Sequence, residues 1–331
     1  MNNKRWFALV IAIGLFVISI VVQVSTSVAT ANFDQMFNFE DNQLSETVIE
    51  EGAVDKKIAV LHLEGVIQDA SGGSLINANV YNHKRFLDTL DQAGEDSSVK
   101  GIIIRVNSPG GGVVESAEIH DKIVDIQNTY QKPVYVSMGN TAASGGYYIS
   151  APADKIVAHP ATLTGSIGVI MESFNFAEFA EEHGINFNTI KSGKYKDIMS
   201  SSRKMTDDER DILQTMIDDL YGDFVDVIEE GRKMKEQRVR EIGDGRVYTG
   251  SQAKEINLVD DLGTLDDTIA LMKKDNQLGK ASVIEYEKGL PFNQLLSGTM
   301  QNMLGTEKDL FGIQEFLRQS NGPRAMYLYS E

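Results

Sequence analysis

The stretch "VKGIIIRVNSPGGG", Val99 to Gly112, decides the architecture of this chain. Val99 to Val106 is rich in β-branched residues and reads as a buried strand, which Pro109 and three successive glycines then turn into a loop. Downstream, Ile119, Ile123 and Ile126 recur at helical spacing between Val113 and Tyr130, and "PVYVSMG" supplies the next strand. Upstream, "KIAVLHLEGVI" from Lys57 has a strand pattern, and "YNHKRFLDTLDQAG" is helical through Phe86, Leu87 and Leu90, ending at Gly94. Strands alternating with helices require crossover connections and parallel pairing, so the fold class is α/β.

Further along, "DKIVAHP" and "GSIGVIM" predict short strands and "FAEFAEEHG" a short helix. "NFNTIKSGKYKDIMSSSRKM" predicts a strand opening into a basic loop. The clearest helix begins at Thr206, which forms a capping box with Glu209. Leu213, Met216, Leu220, Phe224 and Val227 give it one apolar face, for the core or for another protomer. A turn, two short helices and a last strand, "ASVIEYE", follow. The tail from 289 to 331 reads as mobile, and no tandem repeat is present.

The amino terminus has a different character. Residues 1–5 include Lys4 and Arg5, and residues 6–25 form an almost uninterrupted apolar run of the length that crosses a bilayer. The basic flank and the acidic segment 26–55 after it place the amino terminus in the cytoplasm and the body, 56–288, outside the cell, on a polar stalk. A cleaved signal peptide is the rival reading, with Ala29-Thr30-Ala31 as its cleavage site, but the apolar run is longer than a signal peptide needs.

The absence of cysteine excludes disulfides, a thiolate nucleophile and cysteine-ligated metal. A net charge of -17 argues against nucleic acid as a partner. No histidine and carboxylate cluster has ligand spacing, so neither metal nor cofactor is expected.

Three stretches carry possible chemistry. In "NSPGGG", Asn107 to Gly112, consecutive glycines between a strand and a helix can turn backbone N–H groups toward an anion, as an oxyanion hole requires, or merely form a turn. In "NTAASGGYYIS", Ser144 stands among alanines and glycines, which suits either a nucleophile approached closely by a ligand or a helix N-cap. In "KSGKYKD", a lysine made neutral by desolvation can serve as the base that a serine nucleophile needs; Lys196 is the candidate, with Lys191 and Lys194 as rivals, and a solvated basic loop is the plain alternative.

Together with "TLTGSIGVI" and "GRVYTGSQAKEINLVDDLG", these stretches, in this order, resemble the bacterial signal peptide peptidase A family over roughly residues 57 to 275. The length is similar to that of the short, single-repeat form found in Gram-positive bacteria. The resemblance implies a ClpP/crotonase-like fold of repeated β-β-α units preceded by one transmembrane helix. It implies a serine protease with Ser144 as nucleophile and Lys196 as general base. It assigns the oxyanion hole to Gly110, Gly111 and Gly145, and a lysine-orienting role to Ser166. It also implies cleaved signal peptides as substrates, a homo-oligomeric dome-shaped ring on the cell membrane, and active sites near protomer contacts. Tyr147, Tyr148 and Ile149 are candidate pocket walls, or core, and the tail of such a protease can reach its own active site. A crotonase-type acyl-CoA enzyme or a membrane-tethered scaffold are the competing functions; the first needs a carboxylate base, and the second leaves Ser144 and Lys196 without a task.

Overall fold

A computed structural model describes residues 45–69, 81–287 and 325–329. The chain begins with strands β1, Ser45–Glu50, and β2, Ala53–Glu64. Helix α1, His83–Glu95, leads to β3, Val99–Ser108, the short strand β4, Gly110–Gly112, and α2, Val113–Thr129. Strand β5, Val134–Ala143, runs into the single-turn helix α3, Gly145–Tyr148. Then come β6, Lys155–Ala158, β7, Leu163–Gly165, α4, Ala177–Glu182, α5, Asp207–Arg232, and α6, Glu236–Ile242. The body ends with β8, Val247–Thr249, α7, Gly250–Glu255, β9, Asp261–Leu262, α8, Leu265–Asp275, and β10, Ala281–Glu287; a last strand, β11, is Met326–Leu328.

The main sheet has the order β1-β10-β2-β3-β5-β6-β9, with β7 against β5 and β8 against β7. All pairings from β10 to β9 are parallel, and β1 closes one edge antiparallel to β10. The "GIIIRV" run is explained by this position. Ile102 and Ile104 point into the larger core with Leu61, Leu63, Ile119 and Ile123, whereas Ile103 points to the other face with Val60, Tyr135 and Met272 of α8. A strand covered on both faces is apolar at successive positions, and each such isoleucine contributes about 1.5–3 kcal/mol by its burial.

Three local readings need correction. Residues 45–55, assigned to the stalk, form β1 and the start of β2, because the backbone of β1 is paired along β10 from Ser45↔Glu287 to Glu50↔Val283. The strand expected at "GSIGVIM" lies earlier: β7 ends at Gly165, where φ is +79°, and Ser166 follows with φ of 49°, a pair of left-handed residues that cannot continue a strand. No strand forms over residues 186–190, which are largely exposed. The capping box of Thr206 and Glu209 is present at the start of α5. Its apolar face is buried only toward the carboxyl end, at Phe224, Val225 and Ile228, while Met216 is 47% exposed. The predicted transmembrane segment 6–25 lies outside the described residues; among those described, no helix is long and apolar enough to cross a membrane.

Candidate active site

Parallel strands deliver their carboxyl ends to one edge of a sheet, and loops at that edge are where α/β folds bind ligands. Here β3 delivers the Ser108–Gly112 loop and β5 delivers Ser144. Ser144 has φ 53° and ψ -117°, a strained conformation for a residue with a side chain. The turn is held from both sides: the Ser144 N–H donates to the Gly165 carbonyl at 2.8 Å, and the Ser144 carbonyl accepts from Tyr147 and Tyr148 at 2.9 and 2.8 Å. Ser144 stands at the N-cap of α3, yet its hydroxyl makes no capping bond. The Oγ is buried with no hydrogen-bond partner, and none of the five histidines reaches it. A buried hydroxyl without a partner is costly, which disfavours a purely structural role.

The small neighbours are required by close approach. A methyl group on Gly145 would lie 2.7 Å from Ser116 Oγ, and one on Gly146 would lie 2.8 Å from the Ser108 carbonyl oxygen. Gly110, with φ +101°, is the most constrained: a methyl there would lie 2.0 Å from the Tyr327 carbonyl oxygen and 2.6 Å from the Gly145 nitrogen. The Gly110 N–H itself donates to Ser108 Oγ at 3.0 Å. Gly110 therefore contributes space, not a donor, to the hole assigned to Gly110, Gly111 and Gly145. The Gly111 and Gly145 nitrogens face the same small volume, since a methyl on Gly145 would be 3.1 Å from both the Gly111 nitrogen and the Tyr327 oxygen.

Tyr327 belongs to the carboxy-terminal tail, and sequence reading did not single it out. Strand β11 pairs antiparallel with β4, Tyr327 opposite Gly111, and on its other side Met326 exchanges hydrogen bonds of 3.1 and 3.0 Å with Ile170. The tail thus runs along β4 as an extended peptide does, with the Tyr327 carbonyl oxygen in the space that a side chain on Gly110 would fill. The Tyr327 ring is fully buried, stacked on Tyr148 at 4.9 Å and tilted against Phe224 at 4.7 Å, and its hydroxyl donates to the Leu220 carbonyl at 3.0 Å. Burial pushes the Tyr148 phenol up to about 12, so this wall stays neutral. Of the three candidate wall residues, Tyr148 lines this pocket; Tyr147 is core, its hydroxyl donating to the Leu258 carbonyl at 2.8 Å, and Ile149 is fully buried in the main hydrophobic core. The remaining tail, 288–324, lies outside the described residues.

Ser166 is brought beside Ser144 by the pairing of Ala143 with Gly165. Its side chain makes no hydrogen bond among the described residues. Of the three lysines, Lys191 is tied to Asp197 at 2.6 Å and Lys194 to Asp208 at 2.5 Å, the latter pairing raising the Lys194 ammonium above its ordinary value. Each ammonium is thus engaged by a carboxylate within this chain. Lys196 is exposed and its amine has no partner among the described residues, so within this single chain the structure does not bring it to the Ser144 hydroxyl.

The loop carrying Lys196 is stapled by Arg203. The guanidinium binds Asp197 through Nε and Nη2 at 2.8 and 2.7 Å, and it binds both carboxylate oxygens of Glu209 at the start of α5, Nη1 at 2.8 Å. These bonds hold the Asp197 carboxyl well below the usual range and lower Glu209 to about 2. A depressed carboxyl pKa gives stability that is complete above the unfolded value and is lost as pH falls through the folded one. Arg203→Met is therefore expected to lower kcat/KM about tenfold with α5 intact by circular dichroism, by loosening the lysine loop. The difference in thermal midpoint between wild type and variant should shrink only as pH falls from about 4.5 toward 2. An undiminished kcat/KM would show that the staple does not position the loop.

The model of "Peptidase family S49" matches residues 126–279. The chain is 39% identical over 99% of its length to "Putative signal peptide peptidase SppA" of Enterococcus faecium, of which 99% is covered. It is 37% identical to a "Putative protease" of Synechocystis over 80% of this chain and 90% of that one. It is 31% identical to "Serine protease SPPA, chloroplastic" of Arabidopsis thaliana, over 81% of this chain but 40% of the relative. With near full-length similarity to a short-form relative and a match to the family model, the chain belongs to the signal peptide peptidase A group of peptidase family S49 and is a serine protease.

Proposed function

We propose that the protein is a membrane-anchored endopeptidase that degrades remnant signal peptides at the outer face of the cytoplasmic membrane, using Ser144 and Lys196 on a ClpP/crotonase-like fold. The observation that carries this reading is the tail strand, which lies between β4 and Ile170 with the Tyr327 carbonyl beside Gly145. In the proposed reaction the proton of Ser144 Oγ passes to the neutral Lys196 amine as Oγ bonds to the peptide carbonyl carbon. The Gly111 and Gly145 N–H groups stabilise the oxyanion. The lysine then gives its proton to the leaving amine as the C–N bond breaks, and water, deprotonated by the same amine, cleaves the acyl-enzyme. The aromatic pocket of Tyr148 and Phe224 suits an apolar side chain before the scissile bond.

A lysine acts as a base only when desolvation keeps it neutral. Lys196 and the apolar residues preceding it, Phe174 at 93% and Ile190 at 101% exposure, need a covering surface. A second copy of the chain supplies it in this reading, so that each site is completed within a homo-oligomer. The expected result is that Ser144→Ala and Lys196→Ala, each inactive alone against a fluorogenic peptide with small apolar side chains, regain activity when unfolded and refolded together. Homo-oligomers of each variant that stay inactive after mixing, despite verified mixed assembly, would place both groups in one protomer.

A further inference from the structure

A cavity of about 450 Å³ shares only Phe174 with the surfaces given a role so far. Met171, Phe174, Met205, Leu213 and Ile217 give it apolar walls, and Glu172 and Arg210 stand among them as charged lining. Two features tie it to the peptide groove. First, Met171 directly follows Ile170, which exchanges both backbone hydrogen bonds with Met326. For a peptide bound in this register, Met171 lies opposite the residue two places before the one at the Tyr327 position, and Ser173 opposite the residue four places before it. Side chains alternate along a strand, so these positions share the face of the Tyr327 ring, which points at α5. Met171 and Ser173 do line the cavity together with α5 residues. The backbone groups of Met171 to Phe174 make no hydrogen bond among the described residues, which leaves an open edge for an added strand.

Second, α5 provides a ruler. Leu220 binds the Tyr327 hydroxyl, and Ile217 and Leu213 continue its face toward the amino end of the helix. Leu213 lies about 10 Å and Arg210 about 15 Å along the helix from Leu220, at 1.5 Å per residue. An extended peptide covers about 13 Å in four residues. Both measures place the same peptide position in the cavity.

We propose that Met171–Phe174 extend the peptide-binding edge and that the cavity takes an apolar side chain from the fourth residue before the one whose carbonyl enters the hole. This rests on the endopeptidase reading and adds a distal determinant of specificity, which favours peptides with an extended apolar stretch over those apolar only at the cleavage site. Leu213 and Met205 are positioned to set it.

The test uses internally quenched peptides with tyrosine before the scissile bond and leucine or aspartate at the distal position, cleaved by the full chain. Wild type is expected to prefer leucine about tenfold in kcat/KM, and Leu213→Ala and Met205→Asn to reduce that ratio below about threefold. Equal cleavage of the two peptides by wild type would overturn the proposal. So would a ratio unchanged in both variants, or a loss in both variants that is equal for the two peptides and accompanied by a changed oligomer mass, which assigns the cavity to a second copy. Failure to cleave either peptide, or a shorter one ending at the tyrosine pocket, would instead count against the endopeptidase reading.

Discussion

Gly110→Ala is expected to lower kcat/KM at least a hundredfold. Losing one oxyanion donor costs about 10²–10³ in rate, and here a methyl group enters the hole itself, 2.6 Å from the Gly145 nitrogen. The backbone adds to the effect, because φ of +101° is one that a residue with a side chain rarely adopts. Gly112→Ala in the same strand is the comparison. Its φ is -63°, and its added methyl would meet only the end of the flexible Glu115 side chain. Steady-state kinetics of the two variants, with circular dichroism to confirm folding, should therefore differ by two orders of magnitude. Equal loss in both, or near wild-type activity in Gly110→Ala, would show that the oxyanion does not form where the Tyr327 carbonyl lies.

The second large effect concerns the tail. A segment tethered to its own groove competes at an effective concentration in the millimolar range, so micromolar peptides reach only the fraction of sites the tail leaves open. Removing residues 325–331 is expected to raise initial kcat/KM for a short peptide about tenfold. Tyr327→Asp should do the same, because a carboxylate has no partner against Tyr148 and Phe224. In wild-type protein, mass spectrometry should find slow cleavage after Tyr327, whose carbonyl occupies the hole. Rates unchanged by both alterations, together with a tail intact after prolonged incubation, would show that β11 does not restrain the enzyme.

These residues also mark how far the sequence could be read. The strand from Val99 and the Thr206 capping box were legible because each depends on a short window, in which spacing and residue type reflect local geometry, whereas Gly110 to Gly112, a loop by composition, forms a strand only through its pairing with β11. The pairing of Tyr327 with Gly111 was not legible, since a three-residue strand more than 200 positions away leaves no periodicity to detect. Gly110 and Gly111 look alike in the sequence. Only the Ser108 hydroxyl, which binds the Gly110 N–H, separates the residue that makes room from the residue that faces the hole. The ion pairs of Lys191 and Lys194 likewise join residues that no local pattern links. The environment of Lys196 depends on what covers its loop, which the local sequence does not specify.

The most direct test of the central claim is covalent labelling by a fluorophosphonate, followed by peptide mapping. A single adduct on Ser144 is expected, abolished in Ser144→Ala and at least a hundredfold slower in Lys196→Ala. An adduct on another residue, or labelling of Ser144 at an undiminished rate without Lys196, would contradict that claim.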